Sequence, residues 1–266
     1  MGEAMDRFSL KGKVAIITGG YAWLGYDMAE ALADAGCHII ITSRELAKAQ
    51  EAADKLEKAY GVECLGLQMD QQYYEQVDDM AKKAKGWKGH IDILINNAGG
   101  GAGASEGNLF MREPEAIQSM ISINLTGTLF CCRAVGSIMK EQQSGKIINI
   151  GSIAGIVGRD RGMYYRTDKM EQPVDYAAAK GGVISMTRDL AAVLAPDHVN
   201  VNCISPGGFN RGLPENFANA YSERTALGRM GKMGDLQGAA LFLSSSASDY
   251  MTGHNLVVDG GFSMWQ

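Results

Sequence analysis

The chain has 266 residues, 46% hydrophobic and 21% charged, with a formal net charge of -5. That length and apolar content suit a folded domain that buries roughly 70–75% of its unfolded surface, and they exclude a disordered chain. The acidic balance excludes a general nucleic-acid binder, which needs a basic face to displace counterions from phosphates. The five cysteines, Cys37, Cys64, Cys131, Cys132 and Cys203, contain no CxxC pair and point to a reducing, cytoplasmic setting. The four histidines are scattered, so no metal is expected. The N-terminal stretch is charged and has no apolar core, so it does not read as a signal peptide. No uninterrupted apolar run reaches the ~18–20 residues that span a bilayer, so no membrane association is expected.

In chain order, an apolar run at 14–18 ends in Gly19-Gly20, and a helical pattern over 26–35 stops at Gly36. A β-branched run at 38–42 precedes a polar-faced helix at 45–60. A strand at 64–69, a helix at 74–85 and a strand at 91–95 follow, the last ending in Asn96-Asn97-Ala98-Gly99. The second half repeats the alternation: helix 115–142, strand 146–150, helix 176–195, strand 199–204 to Pro206-Gly207, helix 237–244 and strand 255–258. Short strands that are apolar throughout, separated by helices, predict a parallel sheet of about seven strands covered on both faces. The fold class is therefore α/β, a doubly wound Rossmann fold, with 1–266 read as a single domain.

The turn Thr18-Gly19-Gly20-Tyr21-Ala22-Trp23-Leu24-Gly25 lets a backbone approach a pyrophosphate at the positive end of the next helix. Ser43-Arg44, Asp70-Gln71 and Asn97-Ala98-Gly99 close the next strands. The carboxyl ends of parallel strands are where such sheets bind nucleotides. Tyr176 and Lys180 are four residues apart and share a helix face. A phenol titrates near 10, too high for a base at neutral pH, and a neighbouring cation lowers it. Ser152 is placed to donate to a substrate oxygen, and Asn124 to hold a relay water. Taken singly, each also reads as an ordinary loop, core or surface residue.

Together these pieces resemble the short-chain dehydrogenase/reductase family over nearly the whole chain: TGGYAWLG at 18–25, NNAG at 96–99, Asn124, Ser152, YAAAK at 176–180, Pro206-Gly207 and the late VVDGG. The resemblance implies NAD(P)(H) as cofactor. Gly19, Tyr21, Trp23, Leu24, Ser43, Arg44, Asp70, Gln71, Asn97, Ala98, Gly99, Tyr176, Lys180, Pro206 and Gly207 are the expected cofactor residues. It implies Tyr176 as the proton-transferring group and Lys180 as the cation that lowers its pKa and holds the nicotinamide ribose. Ser152 would orient the carbonyl and Asn124 support the relay. It further implies a homotetramer, with the C-terminal tail from Phe262 docked at a subunit contact.

Two departures stand out. Trp23 replaces the family's middle glycine. Ser152 and Tyr176 are 24 positions apart, so an insertion lies at about 159–173. It contains a second Tyr-x-x-x-Lys, Tyr165 to Lys169, which Pro173 argues against by stopping a helix begun there. It holds one more cation than anion, so Arg161, Tyr164, Tyr165 and Arg166 are expected to meet an anionic, polyhydroxylated substrate. Ser43 followed by Arg44, with no acid at that strand end, favours NADP(H) while leaving NAD(H) open. The expected activity is interconversion of a secondary alcohol and a ketone on a sugar or sugar acid, near gluconate 5-dehydrogenases. The alternatives are a 3-oxoacyl-carrier-protein reductase and a non-catalytic cofactor sensor in which Trp23 blocks the site.

Overall fold

The computed structural model describes residues 2–100, 107–167 and 172–265. After a short helix α1 (Glu3–Asp6), strands β1 (Val14–Thr18), β2 (His38–Ser43), β3 (Cys64–Gln68), β4 (Ile93–Asn96), β5 (Gly145–Ile150), β6 (Val199–Pro206) and β7 (Asn255–Val258) form one sheet. Its order is β3-β2-β1-β4-β5-β6-β7, and every neighbouring pair is parallel. The β1 sequence VAIIT is buried at every position because helices cover both faces, which is why the strands read as continuous apolar runs.

The pleat splits those runs between two cores. Ala15 and Ile17 pack with Met28, Leu32, Leu56 and Leu243, from α2 (Trp23–Asp34), α3 (Leu46–Tyr60) and α10 (Gln237–Ser244). Val14 and Ile16 pack on the other face with Val77, Met80, Val135, Met139 and Leu194. These come from α4 (Tyr74–Lys88), α6 (Gly127–Gln142) and α8 (Val174–Leu194). Fully burying each such side chain contributes about 1.5–3 kcal/mol. The chain reverses its direction of strand addition between β1 and β4, which opens a crevice at their carboxyl ends.

Several boundaries differ from the sequence reading. The helix expected at 115–142 comes in three pieces: α5 (Pro114–Ile121), a π-helical turn (Ser122–Thr126) and α6. By length and mean composition alone the 29-residue run Pro114–Gln142 is apolar enough to cross a membrane, although Glu115, Gln118, Asn124 and Arg133 interrupt it. Its apolarity is accounted for by Met120, Cys131, Cys132, Val135 and Met139, which are buried. The insertion forms a helix of its own, α7 (Arg161–Arg166), and a helix not foreseen, α9 (Glu215–Ser222), follows β6.

Tyr164 of α7 and Phe217 and Tyr221 of α9 build a small aromatic core with Phe262. Phe262 stacks on Tyr221 at 4.6 Å between centroids. Phe262, at the start of the C-terminal tail, is thus anchored by burial within its own chain, while Met264 and Trp265 beyond it are exposed. One buried ion pair ties α8 to the segment before α5. Arg112 Nε donates to Asp175 Oδ2 at 2.9 Å, with side chains 2% and 3% exposed. Asp175 immediately precedes Tyr176, so this pair fixes the entry of the tyrosine helix. Removing one partner of a buried pair strands the other charge and typically costs about 3–5 kcal/mol. Arg112→Met is accordingly expected to lower unfolding free energy by about that amount in a urea titration; an unchanged midpoint would remove the pair from the account of how α8 is held.

Candidate active site

The turn after β1 is pulled onto the end of β4. Thr18 Oγ1 accepts the backbone N–H groups of Asn97 (3.0 Å) and Ala98 (2.9 Å). Asn97 Nδ2 donates back to the carbonyls of Thr18 (3.0 Å) and Gly19 (3.2 Å). The approach leaves no room for side chains. A Cβ on Gly25 would stand 2.8 Å from the Gly19 carbonyl oxygen, and one on Gly19, at φ +62°, 3.1 Å from Ala98 Cα. Trp23, the first residue of α2, has φ +51°. Glycine adopts that left-handed backbone freely, whereas an L-residue loses about 1–2 kcal/mol. The indole is 52% exposed and its ring lies 5.3 Å from the Arg211 guanidinium. Such a contact returns only about 0.5–1 kcal/mol at an exposed site, so the stack offsets part of the strain.

A cavity of about 670 Å³ runs along the carboxyl edge of the sheet. Every residue expected at the cofactor lines it: Gly19, Tyr21, Trp23, Leu24, Ser43, Arg44, Asp70, Gln71, Asn97, Ala98, Gly99, Tyr176, Lys180, Pro206 and Gly207. Trp23 stands at its wall and does not fill it. Gln71 joins three edges: its Nε2 donates to the carbonyls of Ala98 (3.0 Å) and Ile123 (2.6 Å). At the β2 end Arg44 is exposed and, among the described residues, meets no carboxylate, while Lys48 is paired with Glu45 at 2.5 Å. A Gly-lined turn, this cavity and an unpaired cation fit a dinucleotide.

Ser152, Tyr176 and Lys180 sit together on the β5–β6 side of the cavity. Ser152 Oγ accepts the Ala154 N–H at 3.1 Å. Burial raises the Tyr176 phenol above its usual 10.0. Hydrogen bonding with Ser152 opposes that rise, and so do the positive charges of Arg159 and Arg211. Lys180 is not among those influences. Its ammonium lies 5.8 Å from the Tyr176 ring centroid, donates to the Ile150 carbonyl at 2.7 Å and is pushed down to about 8 by burial. Arg159 and Arg211 thus oppose the rise through their charges, while Lys180, the cation the resemblance implies for that role, stands beside the same ring.

Asn124 does not line the cavity. It lies in the π turn, where its Nδ2 donates to the carbonyls of Gly100 and Met120 (3.1 Å each) and its Oδ1 accepts the Gly100 N–H at 2.8 Å. It braces the β4 end from behind.

Of the insertion, Tyr164 lines the cavity, together with Arg159, which is absent from the expected substrate set. Arg161, Tyr165 and Arg166 do not. Arg161 Nη1 donates to the Gln172 carbonyl at 2.8 Å, Tyr165 is 69% exposed and Arg166 faces Asp160 at the surface. On a helix, neighbours of Tyr164 point about 100° away from it, so one inward tyrosine turns its flanks outward. Lys169 lies outside the described residues. Sequence reasoning missed Arg211, Phe217, Tyr221 and Ile123 in the lining; only the i, i+4 pair Phe217 and Tyr221 carried a readable signal.

A family model described as enoyl-(acyl carrier protein) reductase matches residues 22–263. The chain is 34% identical to a cyclohexanol dehydrogenase of Rhodococcus sp. (strain TK6), covering 97% of this chain and 98% of that protein. It is likewise 34% identical to the 5-keto-D-gluconate 5-reductase of Escherichia coli (strain K12), over 96% and 97%. A gluconate 5-dehydrogenase from Burkholderia cenocepacia J2315, solved with NADP and tartrate, superposes with a TM-score of 0.90 at 33% identity over 99% and 100% of the two chains. The chain belongs to the short-chain dehydrogenase/reductase family and is an NAD(P)-dependent oxidoreductase.

The buried lysine gives a pH signature. Burial disfavours the ammonium, so between about 8 and 10.5 the unfolded chain binds more protons than the folded one. The stability contributed by this group is lowest below about 8 and rises with pH through that window. Urea titrations from pH 7 to 10.5 are expected to show the wild type gaining on Lys180→Met as pH rises; parallel curves would contradict the depressed value.

Proposed function

We propose that the chain interconverts a secondary alcohol and a ketone on a sugar or sugar acid, using NADP(H) in preference to NAD(H). The observation that carries this reading is the grouping of Ser152, Tyr176 and Lys180 on one wall of a cavity whose far end is Ser43-Arg44. When bound, the nicotinamide nucleotide supplies or accepts the hydride. The Tyr176 phenol donates a proton to the carbonyl oxygen in reduction and takes it back in oxidation. Ser152 orients that oxygen and stabilises the phenolate. Lys180, held on the Ile150 carbonyl, places a charge near the ring and stands where a ribose would meet it. Asn124 keeps the β4 end and the π turn in register behind the reacting centre. Tyr176→Phe is expected to abolish turnover with cofactor binding nearly intact, while Tyr165→Phe retains activity, as its exposure implies; reversed phenotypes would move the active site.

Among the described residues Arg44 has no carboxylate partner at the β2 end, and its planar donors suit a 2′-phosphate. Arg44→Ala should weaken NADPH by about tenfold or more and NADH little; equal effects in fluorescence titrations would take Arg44 out of the cofactor site. The names of two relatives, a 5-keto-D-gluconate 5-reductase and a gluconate 5-dehydrogenase, support a sugar-acid substrate. A second reading has its own support: Met163, Phe217, Met230 and Phe262 make part of the wall apolar, which suits a cyclic alcohol such as the Rhodococcus relative's name describes. A carrier-protein substrate has support of the same kind in the name of a relative, the 3-oxoacyl-[acyl-carrier-protein] reductase FabG of Aquifex aeolicus at 32% identity, but a chain of net charge -5 is poorly matched to an acidic carrier.

The working form is a cytoplasmic homotetramer in this reading, supported by exposed apolar side chains such as Leu129 and Val193, 44% and 60% exposed on helices α6 and α8. Light scattering should return about four times the chain mass of 28.5 kDa; a monomer mass at micromolar concentration would contradict it.

A further inference from the structure

Two guanidinium groups flank Tyr176, and among the described residues neither has a carboxylate partner. Arg159 stands 5.5 Å from the Tyr176 ring centroid and is half-buried in the cavity wall. Its Nη1 donates to the carbonyls of Gln172 (2.9 Å) and Pro173 (3.4 Å), which lock the side chain across the two ends of the insertion. Among the described residues, no carboxylate pairs with it. Asp160, the acid of the insertion among the described residues, is already engaged by Arg166 and Arg224 and by the Gly162 N–H. Arg211, exposed on the segment between β6 and α9, rests on the Trp23 indole and, among the described residues, meets no carboxylate. Burial disfavours the charge on both. Arg159 is half-buried and Arg211 stands on the exposed rim of the same cavity, so an anion entering it meets two charge-assisted donors.

We propose that Arg159 and Arg211 form the subsite for a carboxylate of the substrate, beside the Tyr176 hydroxyl, with Trp23 as the platform that holds Arg211 in place. This rests on the oxidoreductase reading above and narrows it to hydroxy and oxo acids. The planar fork of a guanidinium matches two carboxylate oxygens, and the free Nε and Nη2 of Arg159 supply one such edge. The anchor also gives a role to the left-handed backbone at Trp23. A glycine there relieves the strain but leaves Arg211 without its platform. The apolar wall of Phe217 and Met230 then meets the carbon chain, and the two arginines meet its acidic end.

The test uses the full-length enzyme saturated with NADPH, so that an alcohol probe binds without being oxidised. L-Malate and its neutral diamide are titrated calorimetrically. Malate is expected to bind at least about tenfold more tightly than the diamide, and Arg159→Gln and Arg211→Gln each to remove most of that preference. Trp23→Gly should weaken malate in the same direction as Arg211→Gln, with the diamide unchanged. Equal binding of the two probes, absence of malate binding at millimolar concentration, or variants that keep the wild-type preference would overturn the proposal. If Arg211→Gln weakens NADPH and leaves malate unchanged, Arg211 belongs to the cofactor and the two-armed subsite is wrong. Failure of the underlying oxidoreductase reading is distinct: NADPH itself would not bind.

Discussion

The close approach of the first turn to the end of β4 is the constraint on which the site depends. Thr18 is fully buried, and its hydroxyl caps the two N–H groups that leave β4. In return Asn97 caps the carbonyls of the first turn. These bonds satisfy part-buried backbone groups at the junction, the Ala98 N–H and the Gly19 carbonyl among them, and leaving such a group unpaired costs up to about 1–3 kcal/mol. Gly25 is required because the amide of Asn97 occupies the space of a side chain. The crevice between β1 and β4, with backbone donors exposed along it, follows from that junction. So does the placement of Asn124, which grips Gly100 one step beyond.

On the opposite wall the electrostatics are set by burial. Burial pushes the Tyr176 phenol up and the Lys180 ammonium down, both toward their neutral forms. The charges acting on the phenol are guanidinium groups, which keep their protons in conditions where a buried lysine loses its own. Lys180 is spent on the Ile150 carbonyl and so fixes the start of α8 against β5. The insertion supplies what the helix alone does not: Arg159 over the tyrosine ring and Tyr164 in the wall. The same segment that lengthens the gap between Ser152 and Tyr176 thus reshapes the reacting centre.

The sheet was legible because its strands are apolar on both faces and short, a pattern with few other solutions. That Tyr165 and Tyr176 stand on separate helices was legible too, since Pro173 separates a six-residue helix from a 21-residue one. What the sequence did not disclose is long-range. Nothing near Arg211 announces that it folds back on Trp23, because the two are joined by the tertiary path from β6 to α9. The π turn at Asn124 has ordinary helical composition and differs only in hydrogen-bond pattern. The substrate arginines were assigned by counting charges along the insertion, yet a one-turn helix directs consecutive side chains to different sides. Arg159, just outside that helix, was the one turned inward.

The central claim is that the carboxyl edge of this sheet binds a nicotinamide nucleotide with Tyr176 at its reacting end. Hydrogen–deuterium exchange with and without saturating NADPH tests it most directly. The account predicts protection of peptides spanning 18–25, 43–44, 70–71, 96–100, 176–180 and 206–211, and little change along 215–222 and 237–244. No protection, or protection confined to segments away from that edge, would contradict it.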